Sequence, residues 1–154
     1  MSISNWDIRM MALAQFIATW SKDRGRKVGA VIVGPDNEIR STGYNGIPRG
    51  VNDDVEVRHE AASGEKYLWV SHAERNAIYN AARAGTSTEG CSIYVEIMPC
   101  MDCARAIVQA GIQEVVISRQ RMSQYSSAQY EEHFRNVETL FDEAGVSFRQ
   151  VDLG

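Results

Sequence analysis

Apolar positions along this chain fall into two alternating rhythms, one of helices and one of buried strands. Ser4 and Asp7, three residues apart, suit a capping box, and Met10, Leu13, Ala14 and Ile17 then share one face at helical spacing. This predicts a helix over about 5–19. A polar basic loop, SKDRGRK (21–27), leads to VGAVIVG (28–34), an unbroken apolar run that reads as a buried strand. PDNE (35–38) is a turn, and IRSTGYN (39–45) a second strand. Residues 46–70 have no clean period and carry Gly46, Pro48, Gly50 and NDD (52–54), so they read as one long irregular loop.

The rhythm then resumes. A helix is expected over about 72–84, with Ala73, Ala77, Ile78, Ala81 and Ala82 inward and Gly85 as its stop. CSIYVEI (91–97) reads as a strand, Pro99 opens a helix over about 100–110, and EVVIS (114–118) is a fourth strand. Tyr130, Phe134, Val137, Phe141 and Ala144 form the core face of a last helix, and VSFRQ (146–150) is a final short strand. The order αββαβαβαβ predicts a three-layer α/β/α sandwich around one mixed five-stranded sheet, in a single domain spanning 1–154. The first two strands should be antiparallel and the later ones mostly parallel.

Composition narrows the partners. A net charge of −4 and a pI of about 5.4 argue against a grip on nucleic-acid polymers, which calls for a basic stripe. No stretch approaches the roughly 20 apolar residues that span a bilayer, and the first residues lack the pattern of a secretory signal. The 3 cysteines are an odd count with two of them three residues apart, which favours a reducing, cytoplasmic setting and a metal or redox role over a disulfide framework.

Two segments carry chemistry: His72-Ala73-Glu74 and Pro99-Cys100-Met101-Asp102-Cys103, each at an expected helix start. Two thiolates and one imidazole suit zinc, and Cys100 and Cys103 share one side of a helical turn. A helix N-terminus favours thiolate. Three protein ligands leave a fourth position for water, whose pKa zinc brings toward ~7. Glu74 is close to such a site but poorly placed to ligate it, so it suits proton transfer. The pattern H-x-E…P-C-x-x-C, here with 24 residues between Glu74 and Pro99, is the signature of zinc nucleobase deaminases. Competing readings are a redox CxxC pair with His72 incidental, and a closed structural zinc site with Cys91 as fourth ligand. Cys91 reads better as a small buried hydrophobe, and His59 and His133 as surface residues.

These segments resemble the deoxycytidylate (dCMP) deaminases of the cytidine deaminase superfamily. The resemblance runs from SKDRGRKVGAVIV through STGYNGIPRGVNDD and VSHAERNAI to PCMDCARAIVQAGIQEVV and FDEAGVSFR, most of residues 21–149. HAE and PCxxC belong to the whole superfamily, whereas GYNGIPRG (43–50) is more specific to the dCMP deaminases. The resemblance implies that His72, Cys100 and Cys103 hold one zinc, that Glu74 shuttles protons, and that dCMP and water give dUMP and ammonia. It places Asn45 on the sugar, with a turn residue as the alternative. Lys22, Arg24, Arg26 and Lys27, with Ser21 as a neutral donor and Tyr125 farther on, are candidates for the 5′-phosphate, with a solvated basic loop as the alternative.

The same resemblance implies a second nucleotide site in a homo-oligomer, a hexamer, where dCTP activates and dTTP inhibits. Gly43, Gly46 and Gly50 would allow close backbone approach, Tyr44 would stack on a base, and Asn45 would lie beside it. Arg49 would meet phosphate, and Asp53 or Asp54 would hold Mg²⁺ on the triphosphate. Three other functions compete: deamination of free cytidine, deamination of adenosine in tRNA, and a non-enzymatic zinc module. The acidic balance disfavours tRNA, a nucleoside enzyme has no use for a phosphate loop, and a structural zinc site has none for an uncoordinated Glu74.

Overall fold

The computed structural model describes residues 4–125 and 127–153; positions 1–3, 126 and 154 of the expected 1–154 unit lie outside it. Ser4 opens helix α1 (Asn5–Ala18). Its side chain accepts from the Asp7 N–H, and the Asp7 carboxylate accepts from the Ser4 N–H, satisfying two donors that a helix start leaves open. Strands β1 (Gly29–Val33) and β2 (Ile39–Tyr44) follow, then a short 3₁₀ turn (Glu56–His59) and helices α2 (Glu65–Trp69) and α3 (Ala73–Ala84). The second half runs β3 (Ser92–Val95), α4 (Met101–Gln109), β4 (Glu114–Ser118), α5 (Arg119–Met122), α6 (Ala128–Ala144) and β5 (Ser147–Val151).

The five strands lie in the order β2-β1-β3-β4-β5. β1 is antiparallel to β2 and β3, while β3, β4 and β5 run parallel. Side chains alternate across a strand, and both faces are covered. Val31, Val33, Tyr94 and Val116 pack with Met10, Met11 and Ala14 of α1. Ala30, Ile32, Ile93, Val95, Val115 and Ile117 pack on the other side against Ala77, Ile107, Val137 and Phe141 of α3, α4 and α6. The result is the three-layer sandwich around a mixed five-stranded sheet that the alternation predicts.

Two glycines set the layer spacing. A Cβ on Gly29 would lie 2.1 Å from the Ala14 carbonyl oxygen, and one on Gly43 would lie 2.3 Å from the Ala77 nitrogen. Helices α1 and α3 therefore sit directly on strand backbone. Polar side chains fix α3 in place: Ser41 Oγ donates to the Ala77 carbonyl at 2.6 Å, Asn80 to that of Thr42 and Asn76 to that of Tyr44, each at 2.8 Å. On the opposite face buried Asp7 accepts from Tyr94 at 2.9 Å and from both terminal nitrogens of Arg149 at 2.9 and 2.6 Å. Arg149 also donates to Glu114, so α1, β3, β4 and β5 share one ionic knot.

Several expected faces need correction. In α1, Met10, Ala14 and Ile17 are buried as expected, but Leu13 is only partly buried and Met11 and Ala18 widen the buried stripe. Ala82 is exposed because α3 turns it away from the sheet, and Tyr130 and Ala144 are exposed at the two ends of α6, beyond the packed middle. Residues 46–70 are an ordered segment with a 3₁₀ turn and α2, not featureless loop. Among the described residues no helix is long and apolar enough to cross a membrane.

Candidate active site

His72 and Cys100 are the N-cap residues of α3 and α4, which pack side by side against β1, β3 and β4. Each helix therefore points its positive end at the same spot. His72 Nδ1 lies 3.4 Å from Cys100 Sγ and 3.5 Å from Cys103 Sγ, and the three donor atoms are all within 4.8 Å of one another. Two sulfurs and an imidazole nitrogen at this spacing fit a zinc ion by donor chemistry. His72 and Cys100 border a cavity of about 640 Å³, and Cys103 lies fully buried behind them.

The electrostatics follow from the crowding. Cys100 is pulled well below the usual thiol range by the hydrogen bond from Cys103 and by His72, while the shared bond and burial push Cys103 up. The His72 imidazole is raised by its bond to Cys100 against the opposing effect of burial. All three cysteines are free thiols, and Cys91 stands apart, its sulfur 3.9 Å from the carbonyls of Ser87 and Glu89. The reading of Cys91 as a fourth ligand is thereby set aside.

Glu74, in the first turn of α3, is 4% exposed and borders the same cavity. Burial raises its carboxyl, only partly offset by a backbone bond and by the nearby His72. Ile97 and Met98 add apolar wall, and Arg26, Lys66, Arg75, Tyr125 and His133 add polar or cationic groups.

The residues expected at the phosphate divide sharply. Arg26 reaches this cavity, its guanidinium 4.5 Å above the Tyr125 ring, so these two come together. Lys22 does not, because it pairs with Asp53 at 2.8 Å and borders a second cavity. Arg24 pairs with Glu56 at the surface, and Lys27 borders neither space. Ser21 is buried and donates to the Asn45 carbonyl at 2.8 Å while accepting from the Asp23 N–H; it pins the loop and does not face the cavity. Asn45 does border it, with its amide already engaged: Oδ1 accepts from Val28 and Nδ2 donates to the Arg26 carbonyl, both at 2.9 Å.

Spacing does not single out Lys66, whose ammonium pairs with the nearly buried Asp23 at 2.8 Å and closes one side of the cavity. Its partner lies 43 residues away, and an ion pair across that distance leaves no periodic trace. His133, expected at the surface, is half-buried and borders the cavity.

The second cavity, about 350 Å³, gathers Lys22, Tyr44, Asn45, Gly46, Arg49 and Asp53, with Trp20 and His59 added. Tyr44 meets Trp20 edge-on at 6.2 Å, and Arg49 donates to Asn80 at 2.6 Å. Space around Gly46 and Gly50 is open and both border this cavity, Gly50 turning with a φ of +79°, whereas Gly43 is filled by α3 and offers no close approach. Asp54 lies outside the lining, its N–H bonded to Asn52. Asp23, Asn45 and Val70 border both cavities.

Comparison with known proteins fits this geometry. The family model for the cytidine and deoxycytidylate deaminase zinc-binding region matches residues 4–119. Human deoxycytidylate deaminase is 40% identical over 148 residues, covering 94% of this chain and 79% of its own length. An uncharacterized deaminase of the luxG 3′ region of Aliivibrio fischeri is 39% identical over 151 residues, covering 98% of this chain and 97% of its own. The crystal structure of the cyanophage S-TIM5 dCMP deaminase with dCMP and dUMP superimposes with a TM-score of 0.74 at 24% identity. It covers 98% of this chain and 100% of that one, a likeness of fold.

Proposed function

The chain belongs to the cytidine and deoxycytidylate deaminase family, and from that premise we propose that it hydrolyses dCMP to dUMP and ammonia, supplying dUMP for dTMP synthesis. One observation carries the choice of substrate: Arg26, a cation with no ion pair among the described residues, stands on the rim of the cavity that holds His72, Glu74 and Cys100. A nucleoside gives such a group nothing to bind, whereas a 5′-phosphate does.

Zinc held by His72, Cys100 and Cys103 would supply a water with its pKa brought toward ~7. Glu74 takes the proton of the attacking water, delivers it to N3 of the pyrimidine, and serves the departing amine in turn. Its burial keeps bulk water from that relay. Ile97 and Met98 bound the apolar side of the cavity, and Asn45 holds the 26–28 backbone so that Arg26 faces the rim. Asn45 remains the candidate for the sugar. Ammonia release from dCMP, CMP, deoxycytidine and cytidine, assayed side by side, tests the reading. dCMP should be turned over best; equal kcat/KM for dCMP and deoxycytidine overturns it. Elemental analysis should find one zinc per chain.

The second cavity supports a regulatory reading: a triphosphate, dCTP as activator or dTTP as inhibitor, with its base near Tyr44 and its phosphates near Lys22 and Arg49. Mg²⁺ would be held by Asp53, with Asp54 nearby. Exposed Trp6, Ile8 and Phe16 on α1 supply apolar area for a homo-oligomer, which we take to be a hexamer. The three free thiols suit the cytoplasm. Initial rates against dCMP should be sigmoidal, steepen less with dCTP and fall with dTTP, and sedimentation should give the assembly. Hyperbolic kinetics indifferent to both triphosphates would overturn regulation and leave the deaminase reading standing.

A further inference from the structure

Four side chains form a continuous stack from the core of α6 to the rim of the cavity. Phe134, partly buried against the core, lies parallel to Tyr130, with ring centroids 6.0 Å apart and an interplanar angle of 23°. Tyr130 meets Tyr125 edge-on at 5.2 Å and 76°. Tyr125 carries the Arg26 guanidinium on its face at 4.5 Å. All four border the candidate active site.

Arg26 needs this support. It is exposed, it lies on a loop, and its basic neighbours Lys22 and Arg24 are each tied to a carboxylate while it is not. A free arginine surrenders much of its rotamer freedom when it clamps an anion. Stacking on an aromatic face sets the fork in advance without neutralising it. Tyr125 follows α5 in a loop, so its own ring must be held, and Tyr130 is the ring that touches it.

We propose that Tyr130 is a positioning residue for the nucleotide phosphate, bracing Tyr125 so that Arg26 is presented to the anion. The proposal rests on Arg26 as the phosphate contact and adds a residue that spacing assigned to the core. Tyr130 is 41% exposed, so its replacement leaves the core intact. Loss of one edge-on ring pair should translate into an effect of about three- to tenfold.

The test uses the zinc-loaded protein with dCMP and deoxycytidine. Tyr130→Ala should lower the ratio of kcat/KM for dCMP over deoxycytidine by about three- to tenfold, through KM and not kcat, and Tyr130→Phe should restore it. In an Arg26→Ala background, Tyr130→Ala should change that ratio no further. A Tyr130→Ala loss that falls equally on both substrates, or that persists without Arg26, overturns the positioning role. Arg26→Ala with an undiminished preference for dCMP overturns the phosphate reading instead, so the two failures are distinct.

Discussion

The two cavities of this molecule are neighbours built by opposite means. At the first cavity the metal-binding and proton-transfer groups, His72, Glu74, Cys100 and Cys103, all project from the first turn or cap of a helix that is seated on the sheet. Gly43 lets α3 touch strand backbone, and Ser41, Asn76 and Asn80 bolt it down. Around Lys22, Gly46 and Arg49 the walls are loops, joined across the surface by Lys22–Asp53 and Arg24–Glu56. Those pairs are solvent-exposed, and exposed pairs contribute little to stability. The contrast teaches that geometry needed to within a fraction of an ångström is placed on packed elements, while the loop-walled cavity is held by contacts that exchange at little cost.

The largest effect should come from the packed side. Glu74→Gln should keep zinc and fold and lower kcat by ~10²–10⁴-fold; a variant keeping more than about a tenth of the rate would mean that another group moves the proton. Asp7→Asn should follow. It leaves Glu114 as the only carboxylate partner of Arg149 that the structure shows in the knot and should cost on the order of 1–3 kcal/mol in denaturant titrations. The pH dependence has a definite sign. Burial alone would push the Asp7 carboxyl up, but Arg149, the Ser4 N–H and Tyr94 outweigh it and hold the group well below the usual carboxylate range. Since the unfolded value is near 3.9, the contribution is complete above about pH 4 and fades as pH falls below it. The gap in stability between parent and Asp7→Asn should therefore narrow in acid; a constant gap would count against the knot.

Gly43→Ala tests the seating of α3 itself. A methyl group 2.3 Å from the Ala77 nitrogen must lift the helix, and about 1–3 kcal/mol of lost stability should appear together with lowered kcat. If stability falls while kcat holds, His72 and Glu74 do not depend on that contact. The smallest change in stability belongs to the loop side. Lys22→Ala should move the melting temperature by no more than about 2 °C, yet alter the response to dCTP and dTTP. A large loss of stability would show the second cavity to be as firmly built as the first.

The same contrast explains what could be read from the chain. His72, Glu74, Cys100 and Cys103 announce themselves because their spacing is local and each sits at a helix start. The strand directions follow from the tight turn joining the first two strands and the helices between the later ones, whereas the sheet order β2-β1-β3-β4-β5 does not show in the chain. Helix α2 escapes notice because Tyr67 and Leu68 face solvent, 69% and 78% exposed, so no buried stripe marks it. Ser21 and Lys22 look equivalent to Arg26 as loop residues, but one is turned inward and the other is drawn to Asp53, 31 residues away. Tyr130 fits a core period, yet the first turn of α6 runs past the packed layer and borders the cavity instead.

Asp23, Asn45 and Val70 form a partition with a cavity on each side. A shared partition imposes a symmetry on any traffic across it. If an occupant of one space displaces Asp23 from Lys66 and so changes affinity in the other, the second occupant must change the first one's affinity by the same factor. Effector binding measured with and without a non-reacting substrate analogue should then return the same ratio as substrate binding measured with and without effector. If the second cavity takes an effector, such a partition would report the supply of substrate to the effector as faithfully as the effector to the substrate.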